Sequence, residues 1–450
     1  MSRLRLAAIG LALLGLLLSG CVGMPTSGTV AEQKVPDESD KRRATDIEAR
    51  PPVAGATRTE VVTGFLNAMT AWPIQTSVAK EFLTKSAAGQ WNPEAQTIVY
   101  SDTLPPREQG GTVSVELTSA DRLDRVGGWS GALTDAELTL ELSVSVEKGE
   151  YRITDPPDAL VVPSAWFQQR YRQVSLYYFD QRAEILVPEP VFVPEGPQLA
   201  TSLVSALISG PPPRVREVVR TFIPNGLDVG LSVPVDDGGI ADITLAGDAP
   251  KITTDQTTLL LAQLAWTLRQ DPGIQAFRVT LGGEPLPLPE GATQYPVDAA
   301  ERFDPTGASS SPLLFGISQG RLVSGSPGDL SHVRGVFGDD QAGLGAVGVR
   351  PDGVVAAAVD RGGRRVRVAP VGSAPGSAGP TTVLSGGTYA RPAWDAAGRL
   401  WVLERRSTGA VVWLVEGGRV REVAVPGISG RAAQQLIVSR DGTRLVGVVR

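Results

Sequence analysis

The stretch Val347–Ala356 reads VGVRPDGVVA, and Leu436–Leu445 reads LIVSRDGTRL. In each, an Asp-Gly pair separates two apolar runs, which is a strong signal for a two-stranded hairpin. Between them, Pro392–Val402 reads PAWDAAGRLWV and repeats the pattern with a longer turn. The turn aspartates, Asp352, Asp395 and Asp441, are spaced by 43 and 46 residues. A repeat of this length, made of short strands, predicts the blades of a β-propeller.

The predicted propeller-like domain covers residues 305–450 and begins with a linker at 307–311. At the observed spacing this region holds about three blades, whereas a closed propeller has about 4–8. The sequence also stops inside a strand pattern, Leu445–Arg450. We therefore expect an incomplete propeller in a truncated chain. The Asp-Gly pairs resemble calcium loops, but one Asp in each turn supplies too few ligands, so turn chemistry is favoured.

A second domain is predicted over residues 173–292. Val174–Asp180, which reads VSLYYFD, is typical of a strand, and a helix with Leu199, Leu203 and Leu207 on one face follows it. A polar hairpin leads to the strand Ile240–Leu245, and Thr253 has capping-box spacing to Gln256 at the start of another helix. A strand at 277–281 completes the pattern. Asp242 alternates with apolar residues, which favours a solvated strand position over a catalytic acid.

The first folded domain is predicted over residues 55–172. Thr57 and Glu60 have capping-box spacing, and an apolar stripe at helical spacing follows them, formed by Val62, Phe65, Leu66 and Met69. A second short helix is expected over Ser77–Leu83. Later, apolar and polar residues alternate at 113–117 and 138–146, which predicts strands with one wet face. Helices followed by antiparallel strands indicate an α+β domain, and a cystatin-like sheet that curves around the helices is expected.

Composition excludes several chemistries. Acidic residues outnumber basic ones, 48 to 42, which argues against a nucleic-acid partner. Cys21 is the only cysteine and His332 the only histidine, so zinc sites built from these residues are excluded. A Ser-His-Asp mechanism would depend on His332 alone, and an exposed or structural role is favoured for that residue. We find no Walker loop, EF-hand loop or nucleophile elbow. We expect no enzyme activity, metal or cofactor, although a hydrolase or calcium site made only of carboxylates is left open.

The N-terminus has the features of a lipoprotein precursor. A cationic start with Arg3 and Arg5 precedes Leu6–Leu18, which has no charged residue and is shorter than the roughly 20 residues of a membrane span. Leu18-Ser19-Gly20-Cys21 then resembles a bacterial lipobox. The resemblance implies a signal peptide at 1–20, recognised at Leu18, Ser19 and Gly20. It also implies an S-diacylglycerol and an N-acyl chain on Cys21, followed by a flexible tether over 21–54.

The second domain resembles GerMN domains of bacterial sporulation, germination and envelope proteins. The resemblance rests on the Tyr-Phe strand, the helix ending at Gly210-Pro211, the Ile223-Pro224-Asn225-Gly226 turn and the alternating strand with Asp242. It covers about residues 174–290. GerMN domains have no established catalytic residues, so the resemblance assigns none here.

The order of lipobox, tether, α+β domain, GerMN-like domain and propeller repeats resembles the LpqB family of actinobacterial lipoproteins. The predicted fold class is therefore a multidomain chain with α+β and all-β parts. The resemblance implies a protein anchored on the outer face of the cell membrane that contacts the sensor kinase MtrB of the MtrA–MtrB two-component system, in envelope homeostasis and division.

Two alternatives to a kinase partner remain open. The first is an envelope binder of peptidoglycan or a small ligand, acting through the GerMN-like domain or a pocket in the first domain. The second is an enzyme with a carboxylate site at the propeller centre.

Overall fold

The capping box predicted at Thr57 begins the first helix of the computed structural model. The structure describes residues 47–248, 251–306, 310–339, 342–372 and 379–450. The predicted signal peptide, the lipobox and most of the tether lie outside the described residues, as does much of the linker predicted at 307–311.

The first domain contains four helices and nine strands. The helices are α1 (Arg58–Ala68), α2 (Ser77–Lys80), α3 (Lys85–Gln90) and α4 (Ser164–Arg170). The strands are β1 (Thr97–Tyr100), β2 (Asp102–Thr103), β3 (Arg107–Gln109), β4 (Thr112–Thr118), β5 (Asp121–Leu123), β6 (Trp129–Ala132), β7 (Thr139–Glu147), β8 (Glu150–Ile153) and β9 (Leu160–Pro163).

Helix α1 forms for the reasons that the sequence suggested. The Thr57 hydroxyl accepts from the Glu60 amide, and the Glu60 carboxylate accepts from the Thr57 amide, so both halves of the capping box are present. The four stripe residues are buried; Phe65 is fully so, and burial of such a side chain contributes about 1.5–3 kcal/mol.

Helix α2 is shorter than predicted and ends at Lys80 rather than Leu83. The Ile153 amide donates to the Phe82 carbonyl (2.9 Å), and the Thr84 amide donates to the Ile153 carbonyl (2.9 Å). Because these bonds hold Phe82–Thr84 against the end of β8, the backbone there cannot continue the helix.

The strands of the first domain form two sheets, one with the order β6-β5-β1-β9 and one with the order β2-β4-β7-β8, to which β3 adds on β4. Strands β4 and β7 are antiparallel, with Val113 opposite Leu142. Alternate residues of β4 and β7 are buried, as predicted. The exception is Val146 near the end of β7, which is 61% exposed. The α+β class is confirmed.

In its described residues, the second domain contains two long helices and eight strands. The helices are α5 (Leu199–Ile208) and α6 (Thr254–Leu268). The strands are β10 (Tyr171–Asp180), β11 (Leu186–Pro194), β12 (Val219–Arg220), β13 (Asp228–Val229), β14 (Ile240–Ala246), β15 (Ala276–Leu281), β16 (Glu284–Pro285) and β17 (Tyr295–Pro296). Two 3-10 turns lie at Pro289–Gly291 and Glu301–Phe303.

One hydrophobic core joins the two sheets and the two helices of this domain. Strands β10 and β11 form a long antiparallel hairpin, and β14 and β15 are parallel neighbours connected through α6. The predicted capping box at Thr253 is present. Leu203, Tyr178 and Phe277 are fully buried in the shared core.

In the described residues of the third region, the regular elements are all strands. They are β18 (Leu314–Ser318), β19 (Arg321–Ser326), β20 (Asp329–His332), β21 (Leu344–Val349), β22 (Val355–Asp360), β23 (Arg365–Pro370), β24 (Thr381–Ser385), β25 (Ala393–Trp394), β26 (Leu400–Glu404), β27 (Val411–Glu416), β28 (Arg419–Val423), β29 (Ala433–Val438) and β30 (Leu445–Val449).

These strands form four consecutive antiparallel sheets in the described ranges, β18–β20, β21–β24, β25–β28 and β29–β30, rather than the predicted three or so. Each of the three predicted Asp turns joins the first two strands of its sheet. The sheet β18–β20 was missed because its first turn is Gln319-Gly320, with both residues at positive φ, and uses no Asp. A partial propeller is confirmed.

Candidate interdomain site

The predicted lipidation site, Cys21, lies outside the described residues, together with Leu18, Ser19 and Gly20. The structure therefore does not test their roles, which stay predictions.

The other residues considered from the sequence lie in ordinary surface positions. His332 ends the exposed strand β20. Asp242 is about half exposed on β14 and pairs with Arg278 on the neighbouring strand β15 at 3.3 Å. Neither residue lines the cleft or the hollow described below.

The Asp turns use their carboxylates to hold the chain locally, as turn chemistry predicts. Asp395 is fully buried and accepts from the Arg399 guanidinium (2.7 Å) and the Trp401 indole (3.0 Å). Asp352 pairs with Arg350, which is the main reason that its pKa is lowered. Asp441 accepts from the Ser439 hydroxyl (2.8 Å).

An ion cluster that the sequence analysis missed connects all three domains. Glu189 on β11 has only 2% of its side chain exposed and accepts from two arginines, Arg214 of its own domain and Arg444 of the propeller. Arg214 also donates to Asp124 of the first domain at 2.8 Å. We call these four residues the Glu189 cluster. Because both arginines are 35% exposed, their charge remains partly hydrated while the carboxylate is desolvated.

The strand pattern contains the signal that could have revealed this cluster. Buried positions alternate along β11, and Glu189 is in phase with Val187, Val191 and Val193. A carboxylate at an inward strand position must find cationic partners. The sequence did not show which arginines these are, because Arg444 is 255 residues away.

The first domain reaches the cluster through the loop between β5 and β6. One Asp124 oxygen accepts from the Gly128 amide (2.8 Å) and shapes the loop, while the other accepts from Arg214. The Phe192 amide on β11 donates to the Gly127 carbonyl at 2.8 Å. A Cβ atom on Gly127 would lie 2.0 Å from the Phe192 carbonyl oxygen, so only glycine permits this approach.

Beside the cluster, a cleft of about 400 Å³ separates the second domain from the propeller turns. Its walls are the β10–β11 turn and the end of the second domain on one side, and the β25–β26 and β29–β30 turns on the other. A smaller hollow of about 180 Å³ adjoins it at the β21–β22 turn. Arg440, Ala396 and Ala397 line both.

The described residues also lack two features that would indicate other functions. In the ranges that the structure describes, no three His, Cys, Asp or Glu side chains are grouped to hold a metal ion. No helix among the same residues is both long and apolar enough to cross a membrane.

Comparisons with known proteins agree with this domain order. Three family models match the chain. Their descriptions are Lipoprotein LpqB, N-terminal domain, at residues 51–168; Sporulation and spore germination, at 175–287; and Lipoprotein LpqB beta-propeller domain, at 320–450. Lipoprotein LpqB of Streptomyces avermitilis is 30% identical over 96% of this chain and 75% of that protein. The chain belongs to the lipoprotein LpqB family. The predicted resemblance is thus confirmed, and membership makes this an envelope lipoprotein.

Other relatives support the same membership. Lipoprotein LpqB of Mycobacterium bovis strain BCG is 30% identical, over 97% of this chain and 77% of that protein. The Cutibacterium acnes protein is 28% identical over 68% of this chain, and the match spans about half, 52%, of its length.

Two solved structures also match parts of the chain. The tandem GerMN domains of GerM from Bacillus subtilis are 17% identical, cover 34% of this chain and 58% of that chain, and have a TM-score of 0.24. TolB from Acinetobacter baumannii is 9% identical, covers 79% and 63%, and has a TM-score of 0.23. Neither TM-score is high enough to establish a shared fold.

Proposed function

We propose that this LpqB-family chain is a lipid-anchored accessory protein of an MtrB-like sensor kinase, held at the extracytoplasmic face of the cell membrane. The observation that carries the proposal is family membership, together with the lipobox at Leu18–Cys21. The kinase partner and the role in envelope homeostasis and division come from the resemblance to the LpqB family.

The anchor and the folded domains would have separate tasks. Acyl chains on Cys21 would hold the protein at the membrane, since stable anchoring takes more than one chain. Confinement to the membrane raises the effective concentration near a membrane-bound kinase. The folded domains would supply the contact surface, and the Glu189 cluster would keep the three domains in one arrangement as the kinase changes state.

We further propose that the protein acts by binding rather than by catalysis. This is supported by the way buried carboxylates are used in the described part of the chain. Asp180 accepts from three backbone amides of its own turn, and Glu404 accepts from Arg406 and Trp413. Such carboxylates hold the fold and are not available as acid or base. The domain limits predicted from the sequence, 55–172, 173–292 and 305–450, are part of the same proposal; the elements packed with the second domain extend from Tyr171 to Phe303.

A pull-down of detergent-extracted membranes tests the kinase contact. The full-length protein should capture an MtrB-like kinase, and the Cys21→Ala variant should capture it equally in detergent, because the folded domains make the contact. Failure of both proteins to enrich the kinase over a bead control would contradict the proposal. Capture by the wild type alone would assign the contact to the lipid anchor.

The alternative of an envelope binder is favoured by one observation, the cleft between the second domain and the propeller. Sedimentation of the full-length protein with purified sacculi tests its peptidoglycan form. Enrichment in the pellet would support it, and an unchanged supernatant would remove it without affecting the kinase proposal.

A further inference from the structure

Arg440 is the unusual residue of the cleft. Its Nε atom is buried and has no hydrogen-bond partner among the described residues, a property shared with four other arginines. Those four each have another partner: Arg58 and Arg122 form ion pairs, Arg367 donates to a backbone carbonyl, and Arg170 lies over the Trp72 ring. Within the described ranges, the Arg440 guanidinium has no ion pair, hydrogen bond or ring contact of this kind.

The other charges of the smaller hollow are already neutralised. Its charged residues are Arg350, Asp352 and Arg440, and the first two pair with each other at 2.7 Å. Arg440 is therefore the charged residue of the smaller hollow that forms no ion pair among the described residues. In the larger cleft, Arg399 is paired with Asp395.

Among the described residues, none of the carboxylates that line the cleft forms an ion pair with Arg440. Asp304 lies near enough to oppose the fall in the Arg440 pKa that burial causes, but its Oδ1 accepts from the Thr306 amide (2.7 Å) and hydroxyl (2.8 Å). Glu184 and Glu217 are exposed on the opposite wall.

The position of Arg440 is fixed by its backbone. The Ala396 amide donates to the Arg440 carbonyl at 2.7 Å, which ties the β29–β30 turn to the β25–β26 turn. The side chains of Ala396 and Ala397 are small and leave the space beside the guanidinium open. A planar fork of donors facing an open hollow is the arrangement that binds carboxylate or phosphate with two parallel hydrogen bonds.

We propose that this groove binds a small anionic ligand whose carboxylate or phosphate group sits on Arg440. The terminal Nη atoms of Arg440, which have no partner among the described residues, would donate to the ligand oxygens, while the buried Nε would stay out of the ligand's reach. The body of the ligand would occupy the larger cleft, against the β10–β11 turn and Arg302. The ligand would thus contact both the second domain and the propeller, and binding would strengthen their association. This site is independent of the proposed kinase contact.

Ligand-observed saturation-transfer NMR on the full chain in detergent tests the proposal. Succinate and methyl phosphate are the two probes, because they separate a preference for carboxylate from one for phosphate; succinamide is the uncharged control. At least one anion should bind, and succinamide should not. Arg440→Gln should weaken binding about tenfold or more. Arg419→Gln, which removes an exposed charge on β28 of the same region, should leave it unchanged.

A stability measurement separates a binding role from a structural one. Since Arg440 is a partly buried cation without a protein acceptor, Arg440→Gln should leave the Tm unchanged or raise it. Absence of saturation transfer from both anions would overturn the proposal, as would equal binding by Arg440→Gln and the wild type. A lower Tm for Arg440→Gln would also overturn it, because it would show that the guanidinium has a protein partner.

Discussion

At the scale of single residues, Glu189 shows how a buried carboxylate can be tolerated. Moving a carboxylate out of water is costly, and one ion pair often fails to offset that cost. Here two guanidiniums share the carboxylate, and each remains partly in water. The arrangement joins the domains through one carboxylate. If either arginine is lost, Glu189 still has one cationic partner.

Because two arginines share the Glu189 carboxylate, their substitutions should lower the free energy of unfolding non-additively. Arg214→Met or Arg444→Met alone should lower the free energy of unfolding by about 1–2 kcal/mol, since one arginine still pairs with Glu189. The double variant should lose clearly more than the sum of the two single losses, because the carboxylate is then buried alone. Adding Glu189→Met should restore most of the loss. Urea denaturation of the wild type and these four variants measures this cycle, and simple additivity of the two arginine substitutions would contradict the sharing.

A second residue-scale prediction concerns alkaline pH. Burial raises the pKa of the Tyr171 phenol to about 12, and burial also raises the pKa of Tyr178. A raised folded pKa means that these phenols stabilise the fold below about pH 10 and that this contribution is lost as the pH rises toward about 12. Denaturation at a series of alkaline pH values should show stability falling across this window.

Tyr171→Phe is the control for this alkaline effect. The variant should lose part of the slope of stability against pH, at most about 1.4 kcal/mol per pH unit for one phenol. An identical slope in the variant and the wild type would show that the ring is hydrated in the folded protein.

At this scale, the sequence predicts those contacts whose two partners lie close together in the chain. The capping boxes at Thr57 and Thr253 were predictable because both partners lie within one turn of chain. The Glu189 cluster was not, because its members come from three domains. The unpartnered Arg440 was equally hidden, since nothing in its local sequence, Ser439-Arg440-Asp441-Gly442, shows that its side chain has no partner.

At the scale of elements, turns bring the three domains together. The β5–β6 loop lies against β11, and the propeller turns lie against the β10–β11 side of the second domain. Within the propeller, neighbouring sheets also approach closely: the Trp394 indole donates to the Gly348 carbonyl at 3.0 Å, and a Cβ on Gly348 would lie 2.2 Å from the Pro392 oxygen. Glycine is required at such contacts because backbone meets backbone.

Two glycines of one hairpin provide a matched test of this packing. Gly127 and Gly131 both have positive φ, but a Cβ would clash only at Gly127, where it meets the Phe192 carbonyl. Gly131→Ala should cost about 1–2 kcal/mol from backbone strain alone. Gly127→Ala should cost about 1–3 kcal/mol more, because the loop must leave β11. Thermal denaturation and protease sensitivity of the loop measure the difference, and equal costs would contradict the close approach.

The element predictions succeeded where periodicity and turn chemistry agree and failed where tertiary contacts override them. Strands β4 and β14 follow their alternation, as does β7 up to Val144. Helix α2 stops early because Ile153 bonds to the residues after it. The first propeller sheet was overlooked because a repeat defined by Asp does not include a Gln-Gly turn.

At the scale of the whole molecule, the three folded domains are connected by ion pairs as well as by the polypeptide chain. Arg214 joins the first domain to the second, and Arg444 joins the second to the propeller through the same carboxylate. Under the proposed function, a kinase that binds one domain would thus act on domains that share one buried carboxylate.

Crosslinking in living cells tests the central proposal, a lipid-anchored accessory of a sensor kinase, most directly. Wild type and Cys21→Ala are compared at matched expression, and both the membrane fraction and the kinase crosslink are quantified. The account predicts that the wild type is in the membrane fraction and crosslinks to an MtrB-like kinase, and that Cys21→Ala leaves the membrane and loses most of the crosslink. An unchanged membrane fraction for Cys21→Ala, or a membrane-bound wild type that never crosslinks to the kinase, would contradict it.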